Sequence, residues 1–486
     1  MARSLKILFA SSEVHPFAKT GGLGDISGAL PRALHEQGHD VRVIMPKYKS
    51  VAECPLGFQS TGLQVVVPVG ASLLKGFLFE SALPGGTPIY FVGNDAYFGR
   101  EYLYGENNWD YPDNAERFIF FCRSVLEACQ AMDFQPDIIH CNDWHTGLLP
   151  AYLKTLYADH KIFAGTRTLF SIHNLGFQGN FHRSALRASH LPEDLYTPEG
   201  VEYYGQLSFL KTGLVFADRL NTVSPSYSKE IRTEEFGFGM EGVLTARAKD
   251  LSGILNGADY AEWDPASDSS IIKNFSAKSL QGKERCKKHL EKRFHLKLQA
   301  RTPLICMITR LTNQKGIDLV EDALEELMDK PLAFILLGTG DASYEELFSQ
   351  LPDRFPGRCG VKIGYDEKLA HEILAGSDIL LMPSDYEPCG LTQLHALKYG
   401  TVPLAKSVGG LKDTIQEFKI KPASGTGFKF SADGENHLLR AIDKALSVYQ
   451  NQKSWKRLME TGMAQDFSWQ QSASKYISLY KKALGK

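Results

Sequence analysis

The feature that most constrains the fold of this chain is a repeated alternation of short apolar runs with stretches of helical period. Apolar runs in the first half predict strands at residues 5–10, 41–45, 137–140, 168–172 and 219–223. Between the first two runs, apolar side chains from Ile26 to Leu34 recur at the spacing of an amphipathic helix. Because strands alternate with helices, the pattern predicts a mostly parallel sheet with helices on both faces.

Two local departures from this alternation carry predictions of their own. Three runs at 65–69, 77–83 and 88–92 predict a β meander inserted between the βα units. Asp113 and Glu116 have the spacing of a capping box, which predicts the start of the helix that follows them.

A second series of the same alternation follows a break at 251–265, where Gly, Asn, Asp and Pro predict a hinge. Beyond it, strands are predicted at 304–308, 333–337, 360–363, 379–382 and 402–405, with helices between them. The pattern therefore divides the chain into a doubly wound domain at 1–253, a second one at 254–462 and a terminal helix at 463–486. That helix is expected to pack back on the N-terminal domain.

Composition excludes several classes of protein. The 486 residues are 43% apolar and 23% charged, which is typical of a globular chain. The 54 basic and 56 acidic side chains give a net charge of −2, so nucleic acid is not an expected partner. Eight cysteines without a CxxC pair argue against a zinc site and a disulfide framework, and favour a reducing cytoplasm. No apolar run approaches the roughly 20 residues that cross a bilayer, so no membrane association is expected.

The segment KTGGLGD, residues 19–25, lies between the first predicted strand and its helix. Its glycines let backbone N–H groups approach an anion, and Lys19 adds a full positive charge. A tight strand-to-helix turn explains the same residues about as well. The spacing of Gly22, Gly24 and Gly28 is similar to a dinucleotide-binding fingerprint, but no acidic residue closes the second strand, which disfavours a nicotinamide cofactor.

Two further motifs directly follow predicted strands in the first half. NDWH spans residues 142–145, and HNLGFQG spans residues 173–179. Each places polar groups beside an aromatic ring, Trp144 or Phe177, and this combination suits sugars because their hydroxyls need hydrogen bonds and their ring faces need apolar contact. A single histidine is more often structural than catalytic, but two at strand ends of one sheet favour a site.

Three motifs of the second half also follow predicted strands. In TRLTNQKG, residues 309–316, Arg310 and Lys315 can reach one anion, although two exposed surface cations would look the same. The LGTGD turn at 337–341 is weak evidence by itself. In SDYEPCGLTQ, residues 384–393, Glu387 can accept hydrogen bonds from sugar hydroxyls and the following helix start can hold a phosphate.

Taken together and in this order, KTGGLGD, NDWH, HNLGFQG, TRLTNQKG and EPCGLTQ resemble the motifs of the bacterial glycogen synthase and plant starch synthase family. The resemblance covers nearly the whole chain. It implies a GT-B fold, in which two Rossmann-like doubly wound α/β domains face a central cleft. It also implies transfer of glucose from an ADP-glucose donor to the non-reducing end of an α-1,4-glucan acceptor, glycogen or a maltooligosaccharide. Retention of the anomeric configuration is expected, with no metal ion and no other cofactor.

The resemblance further implies roles for individual residues. Arg310 and Lys315 would hold the diphosphate, and Glu387 would be the essential carboxylate that binds the glucose. Lys19 would contact the donor and His173 would lie against the transferred glucose, which completes the expected catalytic set. Substrate contacts are implied for Glu13, Gly22, Asp25, Asp143, Asn174, Asn256, Tyr365, Cys389, Gly390, Leu391 and Thr392, with Tyr365 stacking on the adenine.

Several alternatives stay open on the sequence. The chain could be a GT-B transferase that uses UDP-glucose or a small sugar acceptor, a glucan-binding protein without catalysis, or, more remotely, an NAD-dependent oxidoreductase. Retention could proceed through a covalent glycosyl–enzyme or by front-face attack, and the absence of an evident second carboxylate beside Glu387 favours front-face attack. The segment 154–168 is longer and more basic than the family pattern, which predicts an extended surface helix or loop.

Overall fold

A computed structural model describes residues 4–106, 109–420, 424–431 and 434–485 of the chain. Residues 1–3 of the predicted N-terminal domain and residue 486 of the predicted terminal helix lie outside the described residues. Contacts divide the chain into two compact units, the first formed by Met1–Gly257 with Trp469–Lys486 and the second by Ala258–Ser468.

The first unit is an α/β structure. Its strands are β1 (Lys6–Ala10), β2 (Asp40–Pro46), β3 (Gln59–Val69), β4 (Ser72–Ala82), β5 (Pro88–Gly93), β6 (Gly105–Glu106), β7 (Trp109–Asp110), β8 (Ile138–Asn142), β9 (Arg167–Ile172), β10 (Asn180–His182), β11 (Glu202–Tyr203), β12 (Gln206–Ser208), β13 (Arg219–Thr222) and β14 (Leu251–Gly253). Its first nine helices are α1 (Gly22–Glu36), α2 (Lys49–Glu53), α3 (Asp95–Phe98), α4 (Asn114–Ala131), α5 (Leu149–Lys154), α6 (Ser184–Ser189), α7 (Phe209–Phe216), α8 (Tyr227–Glu230) and α9 (Glu241–Ala246).

The main sheet of this unit has the order β14-β13-β9-β8-β1-β2-β5-β4-β3. The strands from β14 to β5 pair in parallel, and only β4 and β3 extend the sheet with antiparallel pairing. Every residue of β8 is buried, as expected for a parallel strand that is covered by helices on both faces. The strand order reverses between β1 and β8, and ligands of doubly wound sheets bind at the carboxyl ends of strands at such a point.

The structure confirms the predicted meander, adds a strand to the predicted hinge and corrects the predicted capping box. The runs at 65–69, 77–83 and 88–92 form the predicted meander, because β4 pairs antiparallel with both β3 and β5. The third strand, β5, also pairs in parallel with β2 and so joins the meander to the main sheet. The predicted hinge contains β14, a short strand that pairs in parallel with β13. The predicted capping box is wrong, because the carboxylate of Asp113 accepts hydrogen bonds from Arg100 instead (Nη1 to Oδ1, 2.7 Å).

The segment 154–168 is more than a surface extension. After α5 it forms a turn and a short 3-10 helix at Lys161–Phe163 before β9 begins. Tyr157 is buried within it, and its hydroxyl donates to Oε1 of Glu127 on α4 at 2.6 Å. One aromatic side chain therefore anchors this segment to the core of the unit.

The second unit repeats the architecture with fewer strands. These are β15 (Leu304–Ile308), β16 (Ala333–Gly338), β17 (Cys359–Ile363), β18 (Ile379–Met382), β19 (Val402–Lys406) and β20 (Phe428–Phe430). Its helices are α10 (Gln281–Arg293), α11 (Ile317–Asp322), α12 (Leu324–Asp329), α13 (Ala342–Ser349), α14 (Leu351–Arg354), α15 (Glu367–Gly376), α16 (Thr392–Lys398), α17 (Gly409–Thr414), α18 (Glu435–Gln450) and α19 (Gln452–Met463).

All six strands of this second sheet are parallel, in the order β17-β16-β15-β18-β19-β20. Alternate residues of a strand enter opposite core layers: Ile305 packs in one cluster and Cys306 in the other. Here the order reverses between β15 and β18, so the loops after these two strands are the expected ligand-binding position.

The last helix, α20 (Trp469–Ala483), belongs to the first unit. The hydroxyl of Tyr480 on this helix lies 2.8 Å from Nδ1 of His140 on β8, and both side chains are buried. The C-terminal helix thus covers one face of the first sheet.

Candidate functional site

Polar side chains gather at the carboxyl ends of three neighbouring strands of the first unit. Glu13 follows β1, Asp143 follows β8 and His173 follows β9. These strands are adjacent and parallel, so the residues that follow them share one edge of the sheet. All three side chains are buried, and the amide N–H of His173 donates to Oδ1 of Asp143 at 2.7 Å.

The carboxylate of Glu13 organises the loop that precedes α1. It accepts hydrogen bonds from the amide and the hydroxyl of Thr20, at 2.6 and 2.7 Å, and from the amide of Gly21 at 3.3 Å. On its other side it accepts from the hydroxyl of Tyr104 at 2.8 Å. Neutral donors therefore satisfy this buried charge and fix the KTGGLGD loop in place.

The KTGGLGD loop combines a structural turn with a paired charge. Nζ of Lys19 lies 2.6 Å from Oδ1 of Asp25, so the predicted donor-binding cation is joined to the predicted site carboxylate. Gly22 is the first residue of α1. A Cβ on Gly28 would lie 2.5 Å from the carbonyl oxygen of His15, which explains this glycine by packing alone.

Asp143 is held in a strained backbone conformation. Its φ is 54°, a value that favours glycine, at the turn between β8 and the short helix that follows. Burial raises the pKa of its carboxyl to about 7, while the amides of His173 and Asn174 act in the opposite direction and the charge of Glu13 adds to the rise. A carboxyl that titrates near neutrality is thus located among the predicted site residues.

His173 is a neutral imidazole with a defined tautomer. Nδ2 of Asn142 donates to the carbonyl of Ala10 at 2.9 Å, so the amide oxygen of Asn142 faces Nε2 of His173 at 2.8 Å and accepts from it. Burial lowers the pKa of His173 to about 3. Nδ1, the remaining acceptor, has no hydrogen-bond partner among the described residues. The ring can therefore accept a hydrogen bond from a hydroxyl, but it cannot serve as a charged acid near neutral pH.

The two aromatic residues predicted to face a sugar have different environments. Trp144 is buried and stacks on His145 with ring centroids 3.9 Å apart. A Cβ on Gly179 would lie 2.4 Å from Cε3 of Trp144, so this loop glycine covers the indole. The expectation that Trp144 presents a ring face is wrong, whereas Phe177 is 55% exposed.

The remaining predicted residues of this unit lie at the same sheet edge. Oδ1 of Asn174 accepts from the amide of Gly176 at 3.0 Å and so closes the turn after His173. Asn256 follows β14 and is buried, and its Oδ1 finds no hydrogen-bond partner within the described part of the chain. Since β13 lies between β14 and β9, the structure does not bring Asn256 into the Asp143–His173 contact.

In the second unit the loops after β15 and β18 lie against each other. Gly316 has a φ of 67°, and a Cβ there would lie 2.2 Å from the carbonyl oxygen of Pro383. The amide of Asp385 donates to the carbonyl of Gln314 at 3.0 Å, which joins the two loops directly. Only glycine permits this approach, so the last residue of TRLTNQKG is required by packing.

This junction brings Lys315 and Glu387 together. Nζ of Lys315 lies 2.7 Å from Oε2 of Glu387, and the hydroxyl of Ser384 donates to the same oxygen at 3.1 Å. Glu387 is buried, and its carbonyl accepts from the amide of Gly410 at 3.0 Å. Arg310 is exposed and contacts Gln314 through Nη2, at 3.2 Å. One predicted cation is thus paired with the predicted carboxylate, and the other extends from the same loop.

The residues after Glu387 form a rigid turn into α16. Gly390 has a φ of 74°, and the side chain of Gln393 donates to the carbonyls of Cys389 and Gly390 at 2.9 and 3.0 Å. Leu391 immediately precedes the helix, and Thr392 is its first residue. The side chain of Cys389 is buried, so a ligand could contact this residue only through its backbone.

The LGTGD turn supports the Arg310 loop. A Cβ on Gly340 would lie 2.2 Å from the carbonyl of Leu311, and the amide of Leu311 donates to the carbonyl of Thr339 at 2.9 Å. The carboxylate of Glu345 accepts from the amide of Gly340 at 2.8 Å. This glycine-rich motif is therefore explained by packing and capping.

Tyr365 stands apart from these two loops. It follows β17, the edge strand of the sheet, and β16 separates that strand from β15. Its side chain is 74% exposed, and its hydroxyl donates to Oε1 of Glu367 at 3.3 Å. A ligand that contacts both Tyr365 and Lys315 must extend across the end of β16.

An ion pair that the sequence analysis did not predict, between Lys406 and Asp385, holds the loop that carries Glu387. Lys406 is the last residue of β19 and is buried, and its Nζ lies 3.0 Å from Oδ1 of Asp385. The sequence contains one indication of this pair, because a lysine ends the otherwise apolar strand VPLAK. The pair ties the Glu387 loop to the neighbouring strand.

The described residues contain neither a cluster for a metal ion nor a helix that could span a membrane. Across residues 4–106, 109–420, 424–431 and 434–485, no group of three or more His, Cys, Asp or Glu side chains is placed to hold a metal ion. Within the same ranges, no helix has the length and apolar character needed to span a membrane.

Comparison with protein families gives two matches along the chain. The family described as the starch synthase catalytic domain matches residues 6–246, and the glycosyl transferases group 1 match residues 289–461. Each match falls within one of the two units.

Full-length relatives and solved structures agree with these matches. The chain is 47% identical over 480 residues to a glycogen synthase of Syntrophotalea carbinolica, with 99% of both chains covered. It is 44% identical over 488 residues to a glycogen synthase of Thermotoga maritima, again with 99% of both covered. The catalytic domain of starch synthase IV from Arabidopsis thaliana, solved with ADP and acarbose, superposes with a TM-score of 0.91 at 33% identity and full coverage of both chains. A sucrose-phosphate synthase from Thermosynechococcus elongatus shares the fold at a TM-score of 0.60 and 17% identity, over 99% of this chain and 100% of that one.

Proposed function

Because the chain belongs to the glycogen synthase and starch synthase family, we propose that it transfers glucose from ADP-glucose to the non-reducing end of an α-1,4-glucan in glycogen synthesis. It is a glycosyltransferase of the GT-B fold class. The observation that carries the assignment is the Lys315–Glu387 pair at the switch point of the second sheet, with Arg310 on the same loop as Lys315. In this arrangement the carboxylate can bind the sugar of a nucleotide sugar while the cations bind its diphosphate.

The second unit supplies the donor contacts in this proposal. When the bond between glucose C1 and the phosphate breaks, negative charge grows on the departing ADP. Arg310 and Lys315 stabilise that charge because they are preorganised before the reaction begins. Tyr365, with an exposed ring, stacks on the adenine at the far end of the nucleotide.

Glu387 binds the transferred glucose. Its buried carboxylate accepts hydrogen bonds from sugar hydroxyls and stabilises the positive charge that develops on the ring. The backbone of Cys389, Gly390 and Leu391 and the N-terminal residue of α16, Thr392, offer donors to the glucose and the phosphates.

The first unit supplies the acceptor side and further contacts to the glucose. Asp143 and Asn174 bind the glucan terminus, with Glu13 fixing the loop beside them. Neutral His173 lies against the glucose, where Nδ1 can accept a hydroxyl hydrogen. Lys19 contacts the donor, while Gly22 and Asp25 shape that part of the site and Asn256 adds a polar contact from β14.

Retention of configuration proceeds by front-face departure and attack in this proposal. A covalent route needs a carboxylate free to attack the anomeric carbon. Glu387 is paired with Lys315, and the neighbouring Asp385 is paired with Lys406, so each acid of this loop is engaged by a cation. The working compartment is a reducing cytoplasm, which fits eight buried cysteine side chains.

Transfer of labelled glucose to glycogen tests the function. We expect incorporation from ADP-glucose with kcat/KM at least about tenfold above that from UDP-glucose. Preference for UDP-glucose by the same margin would overturn the donor assignment. A protein that binds maltooligosaccharides but incorporates no label would instead be a glucan-binding protein without catalysis. Nicotinamide binding is not expected, and its detection would favour an oxidoreductase.

A further inference from the structure

Three loops of the first unit meet at one backbone carbonyl, that of Phe238. The hydroxyl of Tyr203 donates to this oxygen at 2.8 Å, and Nε2 of Gln178 donates to it at 2.9 Å. Gln178 belongs to the HNLGFQG loop, which begins at His173. The contact therefore connects the candidate site to two turns that the proposed mechanism does not use.

These loops expose three large aromatic rings. Tyr204 is 83% exposed, Phe177 is 55% exposed and Phe238 is 39% exposed. The rings of Tyr203 and Tyr204 lie 4.7 Å apart with an interplanar angle of 85°. We call Phe177, Tyr204 and Phe238 the aromatic platform. Exposed apolar side chains that are grouped, and not scattered singly, are typical of ligand-binding or partner-binding surfaces.

Two of the platform residues occupy backbone conformations that suit asparagine or glycine. Tyr204 has a φ of 49° and Gly205 a φ of 80°, and together they form the two-residue turn between β11 and β12. Asn-Gly is the favoured pair for such a turn. Phe238 has a φ of 49° and precedes Gly239. Aromatic residues at two strained positions indicate that the rings are retained for a purpose other than folding.

Close packing and backbone hydrogen bonds hold the three platform loops in place. A Cβ on Gly239 would lie 2.2 Å from the hydroxyl of Tyr203, so the two turns are in tight contact. The amides of Phe209 and Leu210 donate to the carbonyls of Gly179 and Gln178 at 3.0 and 3.1 Å, which anchors the third loop to α7. Rigid aromatic faces lose little conformational entropy on binding, which is the property that stacking on a sugar ring requires.

We infer that the aromatic platform binds glucose units of the α-1,4-glucan that lie away from its growing end. This inference rests on the proposed function, since the glucan is the acceptor assigned there. A glucan bound by Asp143 and Asn174 can continue along the HNLGFQG loop, which joins His173 to Phe177 and Gln178. Apolar ring faces of successive glucose units would then stack on the exposed aromatic side chains, flanked by the amide of Gln178.

Tyr204→Asn is the sharpest test because asparagine is favoured in this turn, so the ring is removed without straining the backbone. We expect the KM for glycogen to rise about tenfold, as expected for the loss of one stacking contact. With maltotriose, which offers fewer glucose units to the platform, the rise in KM should be smaller, and the KM for ADP-glucose should stay unchanged. Tyr204→Trp, which keeps an aromatic ring at this position, should have the same KM for glycogen as the wild type.

Phe238→Asn provides a second variant of the same kind, because the carbonyl that joins the loops is kept. Phe77→Ala on β4 is the matched control, since that ring is 52% exposed but belongs to another part of the sheet. The control should leave both acceptors unaffected. Unchanged KM values for glycogen in Tyr204→Asn and Phe238→Asn would overturn the inference, and so would equal losses with maltotriose and glycogen.

Calorimetric titration with maltoheptaose separates this inference from the proposed function. If wild-type protein transfers no glucose but binds maltoheptaose, and Tyr204→Asn weakens that binding, the platform stands and the proposed function fails. If wild-type protein is active and both variants bind maltoheptaose normally, the platform fails alone. A change of oligomeric state in Tyr204→Asn without any change in glucan binding would assign the surface to a second copy of the chain and reject the platform.

Discussion

The two units have the same plan but satisfy the buried carboxylates of their candidate sites in opposite ways. In both sheets the strand order reverses beside the first strand, and the candidate residues follow the two strands at that point. In the first unit, Glu13 accepts from hydroxyls and amides, and Asp143 accepts from the backbone. In the second, the buried Glu387 is paired with Lys315, and the exposed Asp385 on the same loop is paired with Lys406.

This difference shows how one fold can serve two kinds of ligand. Hydroxyl and amide donors around a carboxylate leave the site with little positive charge, which suits a neutral glucan. Lysines beside a carboxylate can be shared with an incoming phosphate, which suits a nucleotide sugar. The strand order fixes where the ligand binds, and the side chains after the strands decide what it is.

Glu387→Gln tests the charged pair of the second unit and should have the largest effect. The substitution keeps the size of the side chain but removes the charge that faces Lys315. We expect kcat for transfer from ADP-glucose to fall by about 10²–10³-fold, as for loss of one preorganised electrostatic contact. Binding of ADP, measured by calorimetry, should be largely retained. Glu346→Gln, an exposed site on α13, is the control, and near-normal turnover in Glu387→Gln would refute the assigned role.

Lys315→Ala tests whether ADP and the glucan bind to different units. Removing this amine takes a charge-assisted contact from the diphosphate and leaves Glu387 to repel it, so the Kd for ADP should rise about 10–100-fold. The Kd for maltoheptaose should be unchanged, because the glucan is assigned to the first unit. Lys453→Ala on α19 should change neither Kd. Equal losses of ADP and maltoheptaose binding would contradict a diphosphate contact.

Tyr365→Ala examines the edge of the second unit. Loss of one base–aromatic stack should raise the Kd for ADP about tenfold, while Tyr365→Phe should bind as the wild type does. The melting temperature should stay constant, because the ring is 74% exposed. If inorganic pyrophosphate binding weakened together with ADP binding, the ring would not be acting on the adenine.

Much of this arrangement could be predicted from the sequence. Apolar runs such as those of β1 and β8 predict buried parallel strands, and a motif that directly follows such a run must lie at a carboxyl end. The positions of Asp143, His173, Lys315 and Glu387 followed from that rule alone. This rule did not predict the three-residue strands β14 and β20, because they are too short to show a period and are flanked by turn residues.

Pairings between distant residues could not be predicted. Tyr104 caps Glu13 from 91 residues away, and Lys406 reaches Asp385 from the next strand, because tertiary packing and not local spacing brings them together. The burial of Trp144 depends likewise on Gly179, which a different loop supplies. Conversely, Asp113 and Glu116 had the local spacing of a capping box, but Arg100 offered Asp113 a stronger, charged partner.

Asp143→Asn tests the neutral side of the comparison through stability and should have the smallest effect. Burial raises the pKa of Asp143 to about 7 in the folded protein, whereas an unfolded aspartate has a pKa of 3.8. The folded protein therefore binds this proton more tightly than the unfolded chain does. As a result, the free energy of unfolding falls as pH rises from about 4 to 7, and the loss is constant at higher pH. Asparagine carries no charge and can still accept from the amide of His173. We expect the melting temperature of the variant to exceed that of wild type at pH 8, on the order of 5 °C, with the gain shrinking towards pH 4.

A matched control for this shift lies at the opposite end of the same strand. Asp137 precedes β8 and accepts from the amide of Lys6 at 2.9 Å, but it is only half-buried, so Asp137→Asn should show no comparable gain at pH 8. A gain for Asp143→Asn of the same size at pH 4 and pH 8 would mean that relief of the strained backbone, and not removal of a desolvated charge, stabilises the variant. In that case Asp143 would be charged at little cost in the folded protein, and the contrast between a neutral and a charged sheet edge would have to be abandoned for this residue.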